Sequence, residues 1–67
     1  MKQIKVNGKD ATLQQATSIA EALEELGYSG QHFAVALNED FVSKSAYPET
    51  PIHDGDQLEV LAPLRGG

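Results

Sequence analysis

The dipeptide Asn7-Gly8 is the feature that most constrains how this chain can fold. Apolar and polar residues alternate over residues 3–6, directly before it, as in a strand with one buried face. Asn-Gly readily adopts the two left-handed conformations that a two-residue hairpin turn requires. The sequence therefore predicts an antiparallel hairpin, with the first strand at residues 3–6 and the second at residues 9–13.

A short helix is predicted after this hairpin. Ser18 is placed to cap its first turn, and Glu21, three residues later, is placed to close a capping box. Apolar residues then recur at helical spacing at Ile19, Ala22, Leu23 and Leu26. Gly27 is suited to the left-handed conformation that ends a helix, so the helix should span about two turns.

Further strands are predicted in the second half of the chain. Residues 33–37 form an apolar run of strand length with large side chains on one face and two alanines on the other, as in a central strand. Residues 38–40 should turn the chain into a short strand at residues 41–42. Residues 43–51 are expected to be irregular, because Pro48 and Pro51 block regular pairing. A turn at residues 54–56 then leads to a last strand at residues 57–61.

This order of elements is typical of an α+β domain in which one helix covers one face of a sheet. The first and last strands can be parallel neighbours at its centre, because the helix-containing segment provides the crossover. We therefore predict a β-grasp (ubiquitin-like) fold, with a mixed sheet of four to five strands and one main helix packed on one face. The predicted core consists of Ile4, Val6, Leu13, Ile19, Leu23, Leu26, Phe33, Val35, Leu37, Val42, Ile52, Leu58 and Val60.

The rest of the chain is predicted to be surface. The uncovered face of the sheet should display Lys5, Ala34, Ala36 and Glu59, which are groups suited to a flat protein contact. The predicted domain spans residues 1–62. Residues 63–67 are expected to form a flexible tail, because one charged residue and two glycines offer little that can pack.

Several kinds of chemistry are not expected. A chain of 67 residues is one small domain without room for a large pocket, and it has no cysteine for a disulfide, a thiolate metal site or a nucleophile. His32 and His53 fall in separate predicted loops without the spacing of metal ligands. No nucleophile elbow or phosphate-binding loop is present. We therefore predict that the chain is not itself an enzyme and holds no metal.

Charge and hydropathy limit the partners. All ten acidic residues lie within residues 10–64, where Lys44 is the single basic residue. Nucleic-acid binding needs clustered Lys and Arg, so a basic protein surface is the better partner, although acidity that only confers solubility is the alternative. No apolar run has the length of a membrane span, and the first residues are unlike a signal peptide. A soluble, cytoplasmic protein without membrane contact is expected.

The last residues, Leu64-Arg65-Gly66-Gly67, are the remaining candidate site. Two glycines have the smallest cross-section, so such a tail can enter a narrow channel and bring the Gly67 α-carboxylate to the ATP of another enzyme. Adenylation would turn this poor electrophile into a mixed anhydride that sulfur or nitrogen can attack. On the dipeptide alone, a frayed end that happens to contain glycine is the alternative.

A set of short motifs along the whole chain resembles the ThiS family, the sulfur carrier proteins of thiamine biosynthesis. These motifs are Val6-Asn7-Gly8, the short capped helix, residues 34–38, residues 54–57 with residues 59–60, and Gly66-Gly67. The resemblance implies a β-grasp carrier protein that binds no cofactor itself.

The resemblance also implies a set of partners. An E1-like adenylyltransferase would use Mg-ATP to adenylate Gly67, while Leu64, Arg65 and Gly66 thread into that partner. Sulfur from a cysteine desulfurase or a rhodanese-type donor would convert the adenylate to a thiocarboxylate. Thiazole synthase would then take this sulfur for the thiazole ring.

Two alternatives remain open from the sequence. The small subunit of molybdopterin synthase shares the fold and the diglycine, although it tends to be longer. A plain β-grasp interaction module, with an inert tail, would use the sheet face or an acidic patch. The ending Leu64-Arg65-Gly66-Gly67 also matches the tail of ubiquitin, but the shorter body with four lysines disfavours conjugation through lysine chains.

Overall fold

The computed structural model describes residues 1–28 and 34–61. The elements in chain order are β1 (Lys2–Val6), β2 (Lys9–Leu13), α1 (Ile19–Leu26), β3 (Ala34–Leu37), β4 (Asp40–Val42), a 3-10 helix (Lys44–Glu49) and β5 (Gln57–Leu61). The five strands form one sheet in the order β2-β1-β5-β3-β4. β1 and β5 pair in parallel, and the other described pairs are antiparallel. The predicted α+β fold, with parallel first and last strands at the centre of a mixed sheet, is confirmed.

The first hairpin forms where the sequence predicts it. Asn7 (φ 53) and Gly8 (φ 84) both have left-handed backbones, which match the right-handed twist of the flanking strands. β1 and β2 pair from Val6↔Lys9 to Lys2↔Leu13. β1 therefore begins one residue earlier than the alternation indicates.

The helix α1 is capped at both ends by the predicted residues. The Glu21 N–H donates to Ser18 Oγ at 3.2 Å, and Gly27 (φ 89) ends the helix with its N–H donating to the Glu24 carbonyl. The capping box differs in one detail. The Glu21 carboxylate accepts from the N–H and the hydroxyl of Thr17, at 2.8 and 3.0 Å, instead of from the Ser18 N–H. The reciprocal bond is thus made one residue before the expected position.

A second two-residue turn joins β3 and β4. Asn38 (φ 52) and Glu39 (φ 75) are both left-handed, and the pair Leu37↔Asp40 closes the hairpin. β4 consequently starts at Asp40, one residue before its predicted start. β3 is an interior strand of the sheet, as predicted. Phe33, its predicted first residue, lies outside the described residues.

The prediction that residues 43–51 are irregular is wrong. They contain the 3-10 helix Lys44–Glu49 with Pro48 inside it, and Pro51 forms an isolated antiparallel bridge with Ser18. The hydrogen bonds of this bridge are made by the backbone groups of the flanking residues. The N–H that proline lacks is therefore not needed for this pairing.

The core lies between two layers. One layer is a face of the sheet, and the other is formed by α1 and the 3-10 helix. Its buried members are Ile4, Val6, Leu13, Ala16, Ile19, Ala22, Leu23, Val35, Val42, Tyr47, Ile52, Leu58 and Val60. Leu26 and Leu37, which were predicted as core residues, are only partly buried against it. Tyr47 is an unpredicted member carried by the 3-10 helix, and its burial raises the pKa of its hydroxyl.

Candidate functional site

The end of β5 is the described part of the chain that lies nearest in sequence to the predicted tail. The candidate site residues Leu64, Arg65, Gly66 and Gly67 lie outside the described residues, as does His32. The description ends at Leu61, the last residue of β5. β5 lies between β1 and β3 in the sheet, but the pairing with β1 stops at Leu58, so the end of β5 is paired with β3 alone.

An asparagine side chain holds β5 close to this exit. The Val60 N–H donates to Asn7 Oδ1 at 2.8 Å, and Asn7 Nδ2 donates to the Val60 carbonyl at 3.2 Å. The Asn7 backbone N–H also donates to the Leu58 carbonyl at 2.9 Å. We call the two side-chain bonds between Asn7 and Val60 the Asn7 clamp.

A second asparagine holds the start of β5 in a similar way. The Gln57 N–H donates to Asn38 Oδ1 at 2.9 Å, and the Asn38 N–H donates to the Gln57 carbonyl at 2.8 Å. Asn38 Nδ2 donates to the Asp56 carboxylate at 3.1 Å. Both asparagines occupy hairpin turns with left-handed backbones, so each turn also fixes one end of β5.

The sheet face opposite the helix carries an apolar patch. Phe41 is 72% exposed and Leu61 is 60% exposed, and Ala34 and Ala36 are half-buried. The register places Ala36 beside Phe41 and Ala34 beside Leu61. We call these four residues the open-face patch. It extends from the edge strand β4 to the residue from which the tail departs.

The sequence analysis identified the alanines of this patch but missed its two large members. The signal was present in the alternation of the strands: Val42 and Val60 were predicted to face the core, so Phe41 and Leu61, their neighbours in sequence, must face outward. Glu59 and Lys5, also predicted for this face, are exposed. The face is thus more apolar than predicted.

An exposed ion pair lies on the same face of the sheet, at the edge far from Phe41. Lys5 Nζ is 2.8 Å from Asp10 Oδ1 on the edge strand β2, and both side chains are more than half exposed. The hydrogen bond from Lys5, together with its charge, lowers the pKa of the Asp10 carboxyl below the ordinary value. Such an exposed pair contributes little to stability, so it serves mainly to keep this edge polar.

Two of the three acidic residues of α1, Glu21 and Glu25, hold backbone groups. An open depression on the helix side is lined by Gln15, Ala16, Glu21, Glu24 and Glu25. The Glu25 carboxylate accepts the backbone N–H groups of Gln14 and Gln15 at 2.6 and 2.8 Å, and these bonds lower its pKa. Bonds from Thr17 lower the pKa of Glu21 in the same way. Both carboxylates are held in the charged form as acceptors, which is unsuited to acid–base catalysis.

The loop before β5 uses its acidic residues to fix the backbone. Asp54 Oδ1 accepts the Gln3 N–H at 2.7 Å, and Asp56 Oδ2 accepts the His53 N–H at 2.8 Å.

Within residues 1–28 and 34–61, no three His, Asp or Glu side chains are grouped to hold a metal ion. No helix in this described part has the length and apolar character needed to cross a membrane.

Comparison with known families identifies the chain. The model of the ThiS family matches residues 4–67. The chain belongs to the ThiS family. The match includes the end of β5, the residues that form the Asn7 clamp, and the terminal residues that the sequence analysis selected.

Two relatives are similar to this chain over most of its length. The sulfur carrier protein ThiS of Thermus thermophilus is 39% identical over 62 residues, which are 92% of this chain and 95% of that protein. A thiazole synthase of Paramagnetospirillum magneticum is 34% identical over 62 residues, again 92% of this chain. This match covers 19% of the synthase, so the chain spans about a fifth of that relative.

Solved structures of the family have the same fold. The crystal structure of the thiamine biosynthesis protein ThiS from Geobacter metallireducens matches with a TM-score of 0.81 and 31% identity, over 97% of this chain and 99% of that chain. A solution NMR structure of a thiamine biosynthesis protein from the same organism gives a TM-score of 0.78. The predicted ubiquitin-like β-grasp fold is confirmed.

Proposed function

We propose that this ThiS-family chain is a sulfur carrier of thiamine biosynthesis whose Gly67 α-carboxylate is the carrying group. The observation that carries this proposal is the match over nearly the whole length of a relative named as a sulfur carrier protein. The family match extends to residue 67 and therefore includes Gly66 and Gly67. In this proposal the chain is a co-substrate, and partner enzymes supply the catalysis.

The first step is adenylation by an E1-like adenylyltransferase. A Gly67 carboxylate oxygen attacks the α-phosphorus of Mg-ATP, and pyrophosphate leaves with the electron pair of the broken P–O bond. The resulting acyl adenylate is a mixed anhydride with AMP as its leaving group. Glycine at position 66 keeps the approach narrow, while Leu64 and Arg65 enter the partner with the tail.

The second step replaces oxygen with sulfur. The terminal sulfur of a persulfide, formed by a cysteine desulfurase or a rhodanese-type donor, attacks the Gly67 carbonyl carbon and AMP leaves. A thiol then attacks the acyl disulfide and supplies two electrons, which leaves a thiocarboxylate on Gly67 and a disulfide on the donor side. Because this sequence contains no cysteine, both the persulfide and the thiol belong to partners.

Thiazole synthase is the proposed acceptor of the sulfur. The support is the thiazole synthase of Paramagnetospirillum magneticum, in which a segment of 62 residues is similar to this chain. A carrier-like segment within a synthase polypeptide is the arrangement expected if the two must meet, because covalent linkage raises their effective concentration. The names of the relatives favour thiamine over molybdopterin synthesis.

The open-face patch is the proposed docking surface for the adenylyltransferase. An exposed Phe41 is the kind of aromatic anchor that dominates protein interfaces, and Leu61 places the patch at the start of the tail. The residues from Leu61 to Gly67 span at most about 20 Å when extended. A partner that covers the patch therefore has its nucleotide site within this distance of Leu61.

The test is a search for the thiocarboxylate. The protein is incubated with Mg-ATP, the adenylyltransferase and a sulfur donor, and is then cleaved before Asp56. Replacement of oxygen by sulfur should add about 16 Da to the C-terminal fragment, and a thiol-reactive alkylating reagent should trap the product. Oxidation of Met1 adds a similar mass, but Met1 lies in a different fragment.

Deletion of Gly67 is the matched control. Gly66→Val tests whether the tail must be narrow to reach the nucleotide site of the adenylyltransferase. The deletion should abolish the mass gain without changing the urea midpoint. Gly66→Val should slow ATP–pyrophosphate exchange. Absence of a gain in the wild-type chain, with enzymes that thiolate another carrier, would refute the carrier function and favour the interaction module. Offering the thiolated chain to thiazole synthase and to the molybdopterin synthase large subunit then distinguishes the two pathways.

A further inference from the structure

β1 separates from β5 before β5 ends. The last β1–β5 pair is Val6↔Leu58, and the chain then turns at Asn7-Gly8 into β2. β5 nevertheless continues to Leu61. The backbone of β1 therefore makes no strand pair with Glu59, Val60 or Leu61, the last three residues of β5.

The side chain of Asn7 takes the place of the missing strand. A carboxamide carries one acceptor and an N–H donor, as a peptide group does, and the Asn7 clamp uses both on the same residue, Val60. The left-handed backbone of Asn7 is the conformation that the hairpin turn requires. One residue thus forms the turn and extends the hydrogen bonding of β5 by a further residue.

The clamp lies directly before the point of departure. Val60 is buried and pairs with Val35 on its other side, and Leu61 is the last residue of the strand. A fixed Val60 gives the chain that follows Leu61 a fixed starting point. If the end of β5 were frayed, the free segment would be longer and could point in more directions. Gly67 would then sample a larger volume.

We propose that Asn7 is a positioning residue for the adenylation step, because its clamp on Val60 fixes where and in which direction the tail leaves β5. This inference rests on the proposed function. Asn7 makes no contact with the reacting atoms in this account. It raises the fraction of docked complexes in which the Gly67 carboxylate meets the α-phosphorus, as expected when orientation is set before the reaction.

A kinetic signature follows from this role. The open-face patch is formed by β3, β4 and β5 and includes no atom of Asn7. Docking should therefore survive loss of the clamp, whereas productive placement of the tail should not. With this chain as the varied substrate in ATP–pyrophosphate exchange, kcat should fall while KM stays nearly constant.

The chain offers a matched pair of variants. Asn7→Gly and Asn38→Gly each remove a side-chain amide that holds β5 from a left-handed turn position, where glycine is tolerated. The first removes the side-chain bonds to the end of β5, which then stays paired with β3 alone, and the second removes the side-chain bond to its start. Asn7→Asp is an intermediate variant, because it keeps an acceptor for the Val60 N–H but loses the donor to the Val60 carbonyl.

The experiment combines NMR hydrogen exchange with exchange kinetics on the full chain. Asn7→Gly should reduce protection of the Val60 amide and lower kcat at least about fivefold, because it removes both bonds of the clamp and one net hydrogen bond is worth about that factor. Asn38→Gly should reduce protection of the Gln57 amide at wild-type kcat, and Asn7→Asp should give an intermediate kcat. Urea unfolding establishes that each variant is folded at the assay temperature.

The outcomes separate this inference from the proposed function. Lost Val60 protection with unchanged kcat would refute positioning and leave the carrier function intact. Equal falls in kcat for Asn7→Gly and Asn38→Gly would also refute it, because the effect would follow stability alone. A wild-type chain that supports no exchange with a competent adenylyltransferase would overturn both proposals, since no adenylation would remain for Asn7 to assist.

Discussion

The two faces of the sheet have opposite chemistry, although the same strands build both. On the face beneath α1, Val35 and Leu58 are each 1% exposed. On the other face, Phe41 of β4 and Leu61 of β5 project into solvent, although each adjoins a buried valine of its own strand in sequence. Along these strands, buried residues that stabilise the fold alternate with exposed residues that are open to a partner. A substitution at an even-numbered position of β5 should therefore affect stability, whereas one at an odd-numbered position should affect the exposed surface.

Leu58→Ala should produce the largest effect on stability. Leu58 is fully buried between β1 and β3, and loss of such a side chain with the cavity left behind costs about 3 kcal/mol. Leu61→Ala, on the open side of the same strand, is the matched control and should change the free energy of unfolding by less than about 0.5 kcal/mol. Urea unfolding measures both. Similar losses for the two variants would contradict the division between the faces.

Phe41→Ser should produce the converse result. The ring contributes little to folding because it is largely exposed, so the urea midpoint should remain close to that of the wild type. If the open-face patch docks the adenylyltransferase, the KM for this chain in ATP–pyrophosphate exchange should rise about tenfold. Glu24→Ser, on the helix side, is the control. An unchanged KM for Phe41→Ser would remove the patch from the docking surface.

Ser18→Ala tests the helix that covers the buried face. Loss of the acceptor for the Glu21 N–H should destabilise the domain by about 1 kcal/mol. Ser43 occupies the corresponding position before the 3-10 helix but makes no capping bond with its side chain, so Ser43→Ala should be nearly neutral in urea unfolding. The kinetic constants for adenylation should be the same in both variants. A raised KM in Ser18→Ala alone would show that the two faces are coupled.

Glu25→Gln should have the smallest effect on stability, present above about pH 5 and lost in acid. The N–H groups of Gln14 and Gln15 hold the folded-state pKa of Glu25 below its ordinary value of 4.5. Its contribution to stability is therefore present above that value and is lost as the pH falls through the lowered folded-state pKa. Between about pH 5 and pH 3, the urea midpoint of the wild type should fall more steeply than that of Glu25→Gln. Glu24→Gln, which removes a charge from the same helix but keeps the bonds from Gln14 and Gln15, is the control variant in the same urea series.

Most of the fold could be predicted because its signals are local. Asn7-Gly8, Ser18 and Gly27 each specify a turn or a helix end through their own backbone preferences. The strands followed from alternation. The 3-10 helix was missed because its buried residue, Tyr47, is ordered by tertiary packing against the core, and Pro48 suggested an interruption instead.

The candidate site was less accessible from the sequence. Phe41 and Leu61 could have been assigned outward from the alternation, but no local pattern indicates that they share one patch across β3. The Asn7 clamp joins residues 53 positions apart, and its geometry depends on where β1 turns away from β5. Such a contact requires the three-dimensional register, which sequence periodicity does not provide.

The parallel pairing of β1 with β5 also has a consequence for synthesis on the ribosome. β1 emerges before the other strands of this sheet, whereas its central neighbour β5 emerges after them. The nascent chain therefore cannot complete its sheet until β5 has cleared the exit tunnel, because pairing between such distant segments must wait for both. A chain truncated before β5 would lack the central strand, so an incomplete translation product would remain unfolded and open to proteases instead of competing with the finished protein for its enzymes.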